Sequence, residues 1–131
     1  MDQMNYYHTR EVSNTFETAL TKVKQALADR GFGVITEIDL KEKFREKLNV
    51  DFREYRILGA CNPKMAYHAI EQEYRIGVLL PCNILVQERT DGKVEVSAVN
   101  PMETMSAVQN QNLEAIAGEV SLKLKEAIDS L

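Results

Sequence analysis

Two short segments constrain this fold more than any others: Cys61-Asn62-Pro63 and Val99-Asn100-Pro101. Each follows a run of strand formers and precedes a run with helical spacing. Asn is a favoured N-cap, because its side chain accepts a hydrogen bond from a backbone N–H that the first turn leaves without an acceptor. Pro at the first helical position loses nothing, since its missing N–H would have had no partner there. The pair therefore marks two strand-to-helix corners. Capture of an anion at these helix starts is the weaker reading: neither has a glycine-rich loop, and Asn itself engages one N–H.

The remaining elements are placed around these corners. Residues 4–12 read as a first strand. Asn14 is expected to cap a helix, with Glu17 completing a capping box. Phe16, Ala19, Leu20, Val23, Ala26 and Leu27 then recur at spacings of three and four, one stripe of a helix that Gly31 ends. A strand over 32–38 leads to Asp39, which caps a short helix with Glu42 at its third position and an apolar edge of Phe44 and Leu48. The mixed charges between them suit a solvated face. A strand over 55–61 precedes the first Asn-Pro corner, and Ala66, Ala69 and Ile70 mark the buried side of the helix that follows. Residues 77–86 are nearly all apolar, which predicts a strand buried on both faces, with its start or a bulge at Pro81. Asp91-Gly92 predicts a hairpin between 84–88 and 94–99. Glu103 is expected to complete a capping box on Asn100. One long helix then carries Leu113, Ile116, Ala117, Val120, Leu124, Ile128 and Leu131 on one face.

This order predicts an α+β fold. Residues 1–131 form one domain, a single five-stranded mixed or antiparallel sheet with helices mainly on one face. An apolar second face would also need cover, and a second copy supplies it most simply, so a homodimer is expected. The 131 residues suffice for a core without disulfides. With 16 Lys+Arg against 20 Asp+Glu, the chain lacks the basic footprint that nucleic acid requires. The apolar stretch 76–86 is broken by Gly77, Pro81 and Asn83 and falls far short of the roughly 20 residues of a spanning helix. The N-terminus shows no signal pattern. No membrane partner and a cytoplasmic location are expected, with both cysteines reduced.

Thr36-Glu37-Ile38-Asp39, the stretch Asp51 to Pro63 with its Gly59-Ala60-Cys61-Asn62-Pro63, Leu79-Leu80-Pro81-Cys82-Asn83, and the hairpin followed by Asn100-Pro101-Met102 stand in an order that resembles the bacterial and archaeal domain-of-unknown-function family 302. The resemblance spans nearly the whole chain. It departs at Asn100, where the family commonly has Asp; both residues cap well. The resemblance implies a small α+β domain seen as homodimers. It implies no established reaction.

Chemistry concentrates at the two cysteines. Cys61 and Cys82 each stand in a Cys-Asn pair, 21 residues apart, so no Cys-x-x-Cys motif exists. A thiol at Cys61 would lie near the positive end of a helix dipole. Two readings stay open: a thiol pair that binds a soft metal or cycles through a disulfide, and two small buried hydrophobes at strand ends. Cys61, Asn62, Cys82 and Asn83 form the candidate ligand-binding set. Cys61, Cys82 and His68 have ligand types suited to zinc or copper, against a surface position for His68. Tyr6, Tyr7, Tyr55 and Tyr67 are candidate pocket residues or ordinary half-buried strand tyrosines. Glu71 and Glu73 read as solvated. No general base stands next to either thiol by spacing, so a module binding a small ligand or soft metal is preferred to a thiol-dependent enzyme or redox protein. A structural interaction domain without a site is the third alternative.

Overall fold

The computed structural model describes residues 5–131. The six apolar positions at helical spacing become the buried stripe of α1 (Phe16–Ala28). Gly31 turns left-handed, with φ 85°, and the Phe32 N–H reaches back to the Leu27 carbonyl at 2.9 Å, which closes the helix. The other end corrects the expectation. Thr15, not Asn14, is the N-cap, and its hydroxyl accepts from the Thr18 N–H at 3.3 Å. Asn14 lies one position too early. Thr15→Ala is expected to cost about 1 kcal/mol and Asn14→Ala close to nothing, as urea unfolding of both variants will measure.

The strands β1 (Tyr7–Val12), β2 (Gly33–Asp39), β3 (Tyr55–Cys61), β4 (Cys82–Glu88) and β5 (Val94–Val99) form one sheet. Its order is β1-β5-β4-β3-β2, and every neighbouring pair is antiparallel. The expected start of the first strand at Met4 lies outside the described residues. Gly92, with φ 85°, makes the β4–β5 turn. Leu58, Ile84, Val86, Val94, Val96 and Ala98 point to the helix-covered face and are buried. The opposite face mixes half-buried Ile57 and Leu85 with Glu95, Ser97 and Gln87.

Several boundaries differ from the expected ones. β4 is buried on one face only, and the apolar residues before it do not extend the strand. Ile76–Leu79 form a 3-10 turn instead. The Leu80–Pro81 peptide is cis, and the ladder starts at Cys82, just after a residue with no N–H to give it. The helix α2 (Leu40–Leu48) is capped by Asp39 as expected, at 3.0 Å from the Glu42 N–H, but buries no residue. Its sequence Leu-Lys-Glu-Lys-Phe-Arg-Glu-Lys-Leu is too charged to supply a core face, and Phe44 meets Phe52 edge-on instead, with ring centroids 5.2 Å apart.

In α3 (Pro63–Gln72), Asn62 Oδ1 accepts from the Met65 N–H at 3.2 Å. Ala69 is buried, but Ile70 is exposed and Met65 packs on the core in its place. The second Asn-Pro corner holds with different partners. Asn100 Oδ1 accepts from the Met102 N–H at 3.1 Å and from the Ser121 hydroxyl at 2.8 Å. The Asn100 N–H donates to the Tyr6 carbonyl at 2.7 Å. Glu103 therefore has no N–H to accept from, and the expected box does not form. The single long helix is also broken. α4 (Pro101–Thr104) gives way to a 3-10 turn, and Asn110 starts α5 (Gln111–Asp129) by accepting from the Leu113 N–H at 3.1 Å.

These elements enclose two apolar cores. The larger lies between the sheet, α1 and α5. The smaller joins Ala69, Ile76, Met105, Leu113 and Ala117. Among the described residues no helix is long and apolar enough to cross a membrane.

Candidate functional site

The two cores do not close on each other. Ala60 on β3, Ala66 and Ala69 on α3 and Ala117 on α5 face a common space, and their short side chains leave a cavity of about 260 Å3. Phe32 and Val120 of the larger core and Met105 of the smaller one also line it. Ile35 stands at the mouth, 63% exposed. A β-bulge brings it there. Val34 pairs with Ala60 and Thr36 with Gly59, so Ile35 has no partner on β3. An extra residue of this kind re-aims its side chain.

Both cysteines lie on the cavity wall, and both are free thiols. Cys82 opens β4 opposite Ala60 and is buried. Cys61 ends β3 and is half-buried. Burial, with a smaller contribution from charge on the neighbouring Cys61, pushes the Cys82 thiol up to about 11. A thiol held so high stays protonated at neutral pH, which makes it a poor nucleophile. Asn62 also lines the wall, with its carboxamide oxygen committed to the α3 cap. No charged side chain lines the cavity. Such a lining suits an uncharged, apolar occupant.

The family model for Domain of unknown function DUF302 matches residues 8–131. The chain belongs to the DUF302 family. It is similar to an uncharacterized conserved DUF302 protein from Bacillus stearothermophilus, known from a crystal structure. The two share 26% identity over 95% of this chain and 96% of that one, with a TM-score of 0.88. No curated protein matches the chain. In this DUF302 chain, Gly59 to Pro63 and Leu79 to Asn83 converge on one place. Ala60, Cys61 and Asn62 from the first, and Leu80, Pro81 and Cys82 from the second, share the cavity wall.

Two candidate residues lie elsewhere. Asn83 is exposed on the opposite sheet face, paired with Gly59. His68 is exposed on α3, with Nδ1 3.4 Å from Glu71 Oε1. The structure does not bring His68 to Cys61 and Cys82, and among the described residues no three His, Cys, Asp or Glu side chains are grouped to hold a metal ion. Adjacent helical residues diverge by about 100°, so buried Ala69 turns His68 away from the cysteines. The other histidine, His8, pairs through Nε2 with Asp129 Oδ1 at 2.9 Å. None of Tyr6, Tyr7, Tyr55 and Tyr67 lines the cavity.

Sequence reasoning missed Ile35, Met65, Pro101, Met105, Ala117 and Val120 as wall residues. One signal was present: alanines recur at inward positions of β3, α3 and α5. Small residues facing each other across three elements leave unfilled space.

Proposed function

We propose that this DUF302 protein is a binding module for a small molecule whose buried part is uncharged and apolar, held between β3, β4, α3 and α5. The observation that carries this reading is the apolar cavity of about 260 Å3 at the seam of the two cores. An apolar cavity of about 150 Å3 stays dry and accepts benzene, so this one has room for about ten carbon atoms. The soft side chains of Met65, Met105, Cys61 and Cys82 adapt to an apolar guest and make favourable sulfur contacts with it.

The test is a titration with naphthalene, followed through the methyl NMR signals of Met65, Met105 and Ala117. Those signals are expected to shift in a saturable way. Ala117→Leu, which fills the cavity, is expected to weaken binding by about tenfold or more while the unfolding midpoint holds, because the added carbons occupy existing space. Unmoved signals, or equal affinity in the variant, would overturn the reading.

The thiol-dependent alternative has one observation in its favour, the placement of Cys61 and Cys82 on one wall close enough to feel each other's charge. The protonated state of the buried Cys82 weighs against it.

A further inference from the structure

We propose that the ligand is a single acyl chain, with its methyl end in the cavity and its remaining length lying across the apolar surface at the mouth. The proposal rests on the apolar-ligand reading above and names the class of molecule. Three observations lead to it.

The lining comes first. No charged side chain faces the cavity, so a molecule with one polar end must enter by its apolar end and leave the polar end in water. The second observation is the size. Space for about ten carbons holds part of a common acyl chain and leaves the rest outside. The third is the surface where that remainder emerges. Ile35 is 63% exposed, Ile70 45%, Leu79 40% and Val78 85%. Ile70 lies one helical turn beyond Ala66, a wall residue, so the two are neighbours on α3. Leu79 directly precedes Leu80, another wall residue. Exposed apolar residues thus stand next to wall residues along α3 and the 3-10 turn, and Ile35, itself a wall residue, is exposed as well.

Exposed apolar side chains beside an apolar cavity mark something that covers them. A compact ring system would end inside the cavity and leave this surface bare. A flexible chain covers both. The two methionines of the wall, unbranched and adaptable, suit such a chain better than a rigid guest.

Calorimetric titration with octanoate, decanoate, dodecanoate and tetradecanoate, each below its micelle concentration, tests the proposal. Affinity is expected to rise about fourfold per methylene while the cavity fills. It should continue to rise, by a smaller factor, beyond about ten carbons as the chain meets the exposed residues. Ile70→Ser, outside the cavity lining, is expected to weaken tetradecanoate about fivefold and to leave octanoate unchanged, a contrast that a folding defect would not produce. Affinity that levels off at decanoate, or an Ile70→Ser effect equal for all lengths, would overturn the acyl assignment. Binding of naphthalene in that case leaves the apolar-ligand reading standing, whereas failure of both probes overturns both. Co-sedimentation with phosphatidylcholine vesicles under conditions where tetradecanoate does not bind would assign the surface to a bilayer and likewise overturn the proposal.

Discussion

Gly59→Ala is expected to lower the unfolding free energy by about 2 kcal/mol, within the usual cost of forcing a methyl group into filled space. Gly59 is buried in the middle of β3, between Thr36 of β2 and Asn83 of β4. A Cβ placed there would overlap the Thr36 hydroxyl and come within 2.8 Å of Pro81 Cγ. The first clash is partly relieved by rotating Thr36 about χ1, at a cost, since β-branched side chains are stiff. The second is not relieved that way. The Pro81 ring is rigid and belongs to the residue that leads into β4, so either the ring or the β3 backbone has to move. Alanine also restricts the unfolded chain, which returns about 0.4–1 kcal/mol and keeps the net loss near 2 rather than 3. Denaturant unfolding measures it, and a change under about 0.5 kcal/mol would contradict the packing described here. Thr36→Ser in the Gly59→Ala background is expected to recover only part of the loss, because the Pro81 contact persists. Ligand affinity should fall as well. Pro81 is cavity wall, and Thr36 flanks the bulge that presents Ile35.

The parts of this fold that were legible in the sequence are those with local causes. The α1 stripe, the Asp91-Gly92 turn and both Asn-Pro corners each depend on residues within one helical turn or one hairpin. The errors arose where a distant partner decided the outcome. Glu103 failed to complete a box on Asn100 because the Asn100 N–H was already taken by Tyr6, from the other end of the chain. The helix after Asn100 ended at Thr104 and the 3-10 turn after it at Gln109, which adopts φ 56° without being glycine, and the restart signal at Asn110 was hidden by the apolar spacing that follows it. Residues 77–86 looked like one buried strand because an unbroken apolar run has no period to reveal where it turns outward. Val78 proves almost fully exposed. The candidate site was half legible. Cys61, Asn62 and Cys82 were singled out and do share a wall. Their meeting follows from the β3–β4 register, with Ala60 opposite Cys82, and no hairpin joins those strands to announce it. The cavity itself was out of reach, because a void belongs to three elements at once. Each alanine reads only as a buried residue until the elements are brought together.

At pH 8, Cys82 is expected to react with iodoacetamide at least about twentyfold more slowly than a free thiol, once Cys61 has been replaced by Ser to isolate it. With its thiol at about 11, the thiolate fraction at pH 8 is about two hundredfold below that of an ordinary cysteine near 8.5. A high-pKa thiolate is intrinsically more nucleophilic, which returns about tenfold and leaves about twentyfold before burial restricts access further. The same shift makes folding stability depend on pH. The folded-state value, about 11, lies above the ordinary 9.0 that the unfolded chain keeps, so the unfolded chain loses this proton first as pH rises. The contribution is therefore fully present below about pH 9 and declines between about 9 and 11, at about 1.4 kcal/mol per pH unit, on the order of 2–3 kcal/mol in all. Cys82→Ala removes the titrating group, and the difference between its alkaline stability profile and that of the parent chain isolates the effect from the lysines and tyrosines that titrate nearby. A parallel pair of profiles, together with rapid labelling at pH 8, would mean that the thiolate is stabilised in the folded chain. That result would move the assignment from an apolar pocket whose sulfurs serve as wall to a reactive dithiol, and the contest between the binding and redox readings turns on it.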